Sequence, residues 1–128
     1  MSQIESQVHN KFKVFSGELQ ADKTIGSLAD AVAQFASDNK IAAKSIGVEY
    51  LESAKRLIIT LGYRDDEEPY PIQLQSVSLG KVDASGGDFS ALEQAMANAS
   101  SQLGNIICHE LYVTDEQDFL MIFMTHAA

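Results

Sequence analysis

The chain has one cysteine, Cys108, so it cannot close an internal disulfide, and a packed core has to hold it together. Cysteine chemistry gives no sign of an oxidising compartment, and Met1 to Asn10 carry no apolar signal core. A cytoplasmic setting is the expectation. Long apolar runs are missing too: Phe119 to Met124 is of strand length, far short of the roughly 20 residues that a membrane-crossing helix needs. Positive charge is scarce, with nine Lys and Arg against eighteen Asp and Glu and a formal charge of −9. Such a surface repels phosphate backbones and anionic lipid, so neither nucleic acid nor membrane is an expected partner.

The hydropathy pattern is written twice. Ile46 to Leu51 followed by Arg56 to Tyr63 corresponds to Ile107 to Tyr112 followed by Asp118 to Thr125, and upstream of each pair lies an Ala-rich segment, Thr24 to Asn39 and Asp88 to Gly104. The offsets run from 61 to 64 residues, with Ile46 on Ile107, Glu49 on Glu110 and Leu92 on Leu28. Lys11 to Ser16 alternates with period two, as a half-buried strand does. Thr24 is placed to cap a helix with Ile25, Leu28, Val32 and Phe35 on one stripe, and Asp88 to cap a second with Phe89, Leu92, Met96, Ala99 and Leu103. In Ile72 to Leu79 the alternation slips at Gln75 and Ser76, where a β-bulge is expected.

These patterns predict an α+β fold in a single domain over residues 1–128. Repeat 1 covers about 11–64, an acidic, proline-bearing connection covers 65–71, and repeat 2 covers about 72–126. Each repeat is a strand-helix-strand-strand unit. Together they would form one six-stranded antiparallel sheet, curled towards a barrel in its extreme form, with both helices on one face. The order resembles the topology of the gyrase-inhibitor-like effector-binding domains and the SOUL haem-binding proteins over Lys11 to His126. That resemblance implies a ligand groove between the repeats. The chain departs from those domains in having no tryptophan, which puts a haem or drug-like ligand in doubt, and no cofactor is expected.

If the helices cover Ile46, Val48, Tyr50, Leu57, Ile59 and Leu61 and their counterparts, period two sends the alternate residues to the helix-free face. Glu49, Leu51, Ile58, Thr60, Cys108, Glu110, Tyr112, Ile122 and Met124 form that candidate ligand or interface face. So apolar a face marks a ligand groove, a subunit interface or a barrel interior. Glu49 and Glu110 hold equivalent positions, and two close carboxylates raise one pKa, as acid–base chemistry requires. The commoner role of strand glutamates is to pair across the sheet or face water.

On the same reading His109 is a hydrogen-bonded core residue on the helix side, and His126 is exposed and inert. No spacing of Glu49, Cys108, Glu110 and His126 makes a metal site. Gly86 and Gly87 before a helix suit a turn better than a phosphate cradle, and Asp65 to Glu68 suit a solvated loop tip. The expected function is a small non-enzymatic binding domain that uses the helix-free face for a small ligand, for homodimerisation, or for both. The alternatives are an enzyme with Glu49 and Glu110 as acid and base, and an adaptor whose acidic loop meets a basic protein.

Overall fold

The computed structural model describes residues 10–18, 22–82, 85–114 and 118–127. Eight elements follow in order: β1 (Lys11–Glu18), α1 (Asp22–Asn39), β2 (Ala42–Leu51), β3 (Arg56–Arg64), β4 (Ile72–Gly80), α2 (Ser90–Ser100), β5 (Ile106–Val113) and β6 (Phe119–His126). The fold is α+β, as the patterns predict. The strands, however, form two three-stranded antiparallel sheets and not one of six: β1-β3-β2 is sheet 1, β4-β6-β5 is sheet 2, and the described residues form no closed barrel. β2 and β5 lie against each other without pairing in either ladder. Each carries a register shift against its own ladder partner, between Ala43 and Ser45 in β2 and between Ile106 and Cys108 in β5.

Helix α1 starts at Asp22, so Thr24 lies inside the first turn and not at the cap. Three residues of the expected stripe, Ile25, Leu28 and Val32, are buried together with Ala36, while Phe35 is half-buried. Phe35 packs edge-on to Phe15 and Tyr63, and the Lys13 ammonium lies 5.8 Å from its ring centre. Lys13 and Phe15 of β1 therefore face the helix, whereas Phe12 and Val14 face outward. β1 is mostly exposed rather than half-buried.

Both helices were expected on one face, and the packing differs. α1 lies against β1, β3 and also β4. One core cluster joins its stripe to Ile46, Val48, Leu57, Ile59 and Leu61 of sheet 1 and to Ile72, Ile122 and Met124 of sheet 2. The core is thus a prism walled by the inner faces of the two sheets and by α1. α2 instead covers the other face of sheet 2, over Gln75 and Val77 of β4 and Met121 and Phe123 of β6. β6 is consequently buried on both faces from Met121 to Thr125.

Two further expectations shift. The irregularity in β4 falls between Ser78 and Gly80, three residues beyond Gln75. Phe89 is the N-cap residue of α2 and is exposed, while Asp88 Oδ1 accepts from the Ser90 amide at 3.0 Å and from its hydroxyl at 2.7 Å. Those bonds stabilise the charged form and hold the Asp88 carboxyl below the usual range. Gly86 and Gly87 adopt φ of 71° and 81° in the turn entering α2, a conformation that accounts for both glycines without a ligand.

Thr125 is 2% exposed, and its Oγ1 has no hydrogen-bond partner among the described residues. A buried, unsatisfied hydroxyl costs about 1–3 kcal/mol. Thr125→Val keeps the shape and removes the hydroxyl, so the expected result is a more stable protein by about 1 kcal/mol, a rise of roughly 4 °C in Tm by calorimetry. A lower Tm would show that the hydroxyl is engaged.

Candidate functional site

The residues of the candidate face divide between two environments. In sheet 1 the register pairs Val14 with Thr60, Ser16 with Ile58, Gly47 with Thr60 and Glu49 with Ile58, and the inward side belongs to Ile46, Val48, Leu57, Ile59 and Leu61. Glu49, Leu51, Ile58 and Thr60 consequently occupy the outer face, away from α1, with Glu49 and Leu51 exposed and Ile58 and Thr60 half-buried. In sheet 2 the corresponding residues turn into the prism. Ile122 and Met124 are core residues, and Cys108 and Tyr112 pack half-buried against the same core. The structure therefore does not bring the nine residues onto one open surface.

Glu110 sits at the corner between these environments. It is half-buried opposite Ile122, and a Cβ built on Gly47 would lie 3.7 Å from its Oε2 and 2.8 Å from Thr60 Oγ1. Gly47 thus lets β5 approach the outer face of β2. Cys108 is next to this corner. Burial pushes its thiol up, the Ile46 backbone amide opposes that, and the Glu110 charge adds to it. A thiol so raised stays protonated at neutral pH and is a poor nucleophile. Glu49 is exposed on β2, and among the described residues neither carboxylate has an ion-pair or hydrogen-bond partner that would hold it as acid or base. Among the described residues no three His, Cys, Asp or Glu side chains converge to hold a metal.

His109 points to the α2 side, as its register requires, and lines a cavity of about 190 Å³ with Met96, Ala97, Met121 and Phe123. It is exposed and not a core histidine. His126 is exposed, with its ring 4.6 Å from Tyr70. Between α2 and β4 runs an open groove of about 650 Å³ whose lining, including Gln75, Val77, Asn98 and Gln102, carries no charge.

The acidic connection is tied down by local bases. Lys11 meets Asp65 at 2.6 Å, Lys44 meets Glu67 at 2.5 Å and Arg64 meets Asp66 at 2.7 Å. The hydrogen bond from Lys11 holds the Asp65 carboxyl below its ordinary range and raises the lysine. Tyr70 closes the connection by donating to the Ala43 carbonyl at 2.5 Å. Three of the loop's four carboxylates, Asp65, Asp66 and Glu67, are thus paired within the molecule.

What the sequence did not single out is β1. Phe12 is 71% exposed and Val14 58% exposed on the outer face, with Leu51 at 46% across the sheet. The Phe12 ring rests over Gly62, its Cε1 3.4 Å from where a Cβ would stand. The signal was present in the alternation of Lys11 to Phe15, but alternation does not say which side meets the helix. No family model, curated protein or solved structure matches the chain.

Proposed function

We propose that the chain is a non-enzymatic binding domain whose working surface is the outer face of sheet 1, and that this surface serves self-association. The observation that carries the reading is the pair Phe12 and Val14, both largely exposed on one strand face, with Leu51 and Ile58 continuing the apolar surface. Among the described residues no helix lies over that face, since α1 packs on its opposite side. Contiguous exposed apolar surface of this kind marks interaction sites. The single, raised thiol of Cys108 suits a reducing cytoplasm. The same strand-helix-strand-strand order and the same strand arrangement in both halves support descent from a duplicated unit, with α1 turned inward and α2 outward.

Sedimentation equilibrium tests the reading. Burying Phe12 is worth about 1.5–3 kcal/mol, and a two-fold contact counts it twice. Phe12→Asp should therefore weaken the dimer by more than about a hundredfold. Its exposed position leaves folding intact, which circular dichroism checks. A wild-type protein that stays monomeric at several hundred micromolar would refute self-association.

A further inference from the structure

We infer that the cavity between α2 and the face of sheet 2 that it covers is a site for a soft monovalent metal ion, Cu(I) by the chemistry of its donors, held by the Met96 and Met121 thioethers and the His109 imidazole. Strand parity and helical spacing bring the three side chains to one place. His109 of β5 lies opposite Phe123 of β6, and Met121 stands two residues before Phe123, so both share the face under α2. Met96 stands one helical turn from Leu92, the buried residue of α2, and therefore on the side of the helix that meets the sheet. All three line one cavity of about 190 Å³. Its other walls are apolar apart from Ser100, whose hydroxyl donates to the Ala97 carbonyl at 3.1 Å. The site lies on sheet 2 and is independent of self-association through sheet 1.

The donor set selects the ion. Imidazole, thiol and carboxylate groups do not gather in threes among the described residues, but thioethers are ligands in their own right for soft ions such as Cu(I). Two thioethers and an imidazole bring no negative charge. An ion among them keeps its own charge in an apolar cavity, and burying uncompensated charge is costly, so a monovalent ion is favoured over a divalent one. The size agrees, since about 190 Å³ falls short of the roughly 300–1,000 Å³ of small-molecule sites. His109 is exposed and Met121 is 2% exposed, so the donors run from solvent into the cavity. The formal charge of −9 attracts cations to the molecule as a whole. Cys108, the natural rival for a soft ion, packs against the core on the opposite face of β5.

NMR of isotope-labelled methionine methyl groups tests the site. The chain has four methionines, Met1, Met96, Met121 and Met124. Met124 lies on the other face of β6, within the core cluster, and is an internal control. In a Cys108→Ser background titrated with Cu(I) in the absence of oxygen, the Met96 and Met121 methyl signals should shift and saturate at one equivalent, while those of Met1 and Met124 stay in place. Met96→Leu keeps the side-chain volume, and His109→Gln changes an exposed position, so both variants should fold. Each should weaken binding by more than about tenfold in competition with a Cu(I) chelator, since loss of even an outer-shell partner costs about 10–100-fold in metal affinity. Met96 and Met121 signals that ignore Cu(I), or an affinity that neither substitution changes, would overturn the site.

Discussion

Replacing Ile122 with alanine is expected to cost about 2–5 kcal/mol, and replacing its neighbour Phe123 about 3–5 kcal/mol. Successive residues on a strand point to opposite faces, so a strand buried on one side pays at only one of two neighbours. Ile122 and Phe123 are 1% and 2% exposed because β6 runs between two packed layers. Ile122 faces α1 and the inner side of sheet 1, and Phe123 faces α2. β3 provides the contrast, since Ile59 is buried whereas Ile58 lies on the outer face. Ile59→Ala should cost as much as Ile122→Ala, and Ile58→Ala less than about 1.5 kcal/mol. Urea titrations of the four variants, read at constant m, decide the matter. Ile122→Ala at under about 1 kcal/mol would mean that the inner face of sheet 2 is not filled by sheet 1 and α1.

That double burial was legible in part. Phe119 to Met124 is an unbroken apolar run, which fits a strand covered on both faces, whereas Arg56 to Tyr63 interposes Thr60 and Gly62 as a half-covered strand does. The period of each strand, the stripe of α1 and the order of elements could all be read from residue spacing. The placement of α1 could not. Its apolar stripe is equally suited to covering sheet 1 alone or to bridging both sheets, because a stripe records how much surface is buried and not against what. The register shifts near the starts of β2 and β5 left no mark in the alternation, and residue spacing does not distinguish an abutment of two strands from a ladder.

The same uncertainty divided the candidate site. Treating the two halves as equivalent placed Glu49, Thr60, Glu110 and Ile122 on one face, whereas strand parity holds only within each sheet, with Glu49 and Thr60 on one face of sheet 1 and Glu110 and Ile122 on one face of sheet 2. Equivalent parity yields a common surface only if the halves are also disposed alike. Here the face of sheet 2 that carries Glu110 and Ile122 closes onto α1 and the core, while the helix-free face of sheet 1 stays open. In β1 Lys13 lies on the helix side, its ammonium over the Phe35 ring, as long amphipathic side chains can. Charge was thus a poor guide to which face of β1 meets solvent.

Val32→Asp should abolish folding. Val32 is 0% exposed on α1, within the cluster that joins both sheets. An aspartate there has no cation within the core to pair with, since the cluster consists of apolar side chains with Cys108 and tyrosines at its margin. An unpaired buried charge costs several kcal/mol, by ionising in a poor medium or by remaining protonated at neutral pH. The loss of packed methyl groups adds to that. Against a total stability of about 5–15 kcal/mol for a domain of this size, the sum removes most or all of the native population. Because α1 touches β1, β3 and β4, the loss should reach both sheets at once, and far- and near-ultraviolet circular dichroism should disappear together. Ala31→Asp, one residue earlier on the exposed side of the same helix, is the control and should lower stability by only about 1 kcal/mol, the helix-propensity difference between the two residues. A Val32→Asp protein that keeps a cooperative transition, or that loses sheet 1 while sheet 2 survives, would show that α1 is not the strut between the sheets.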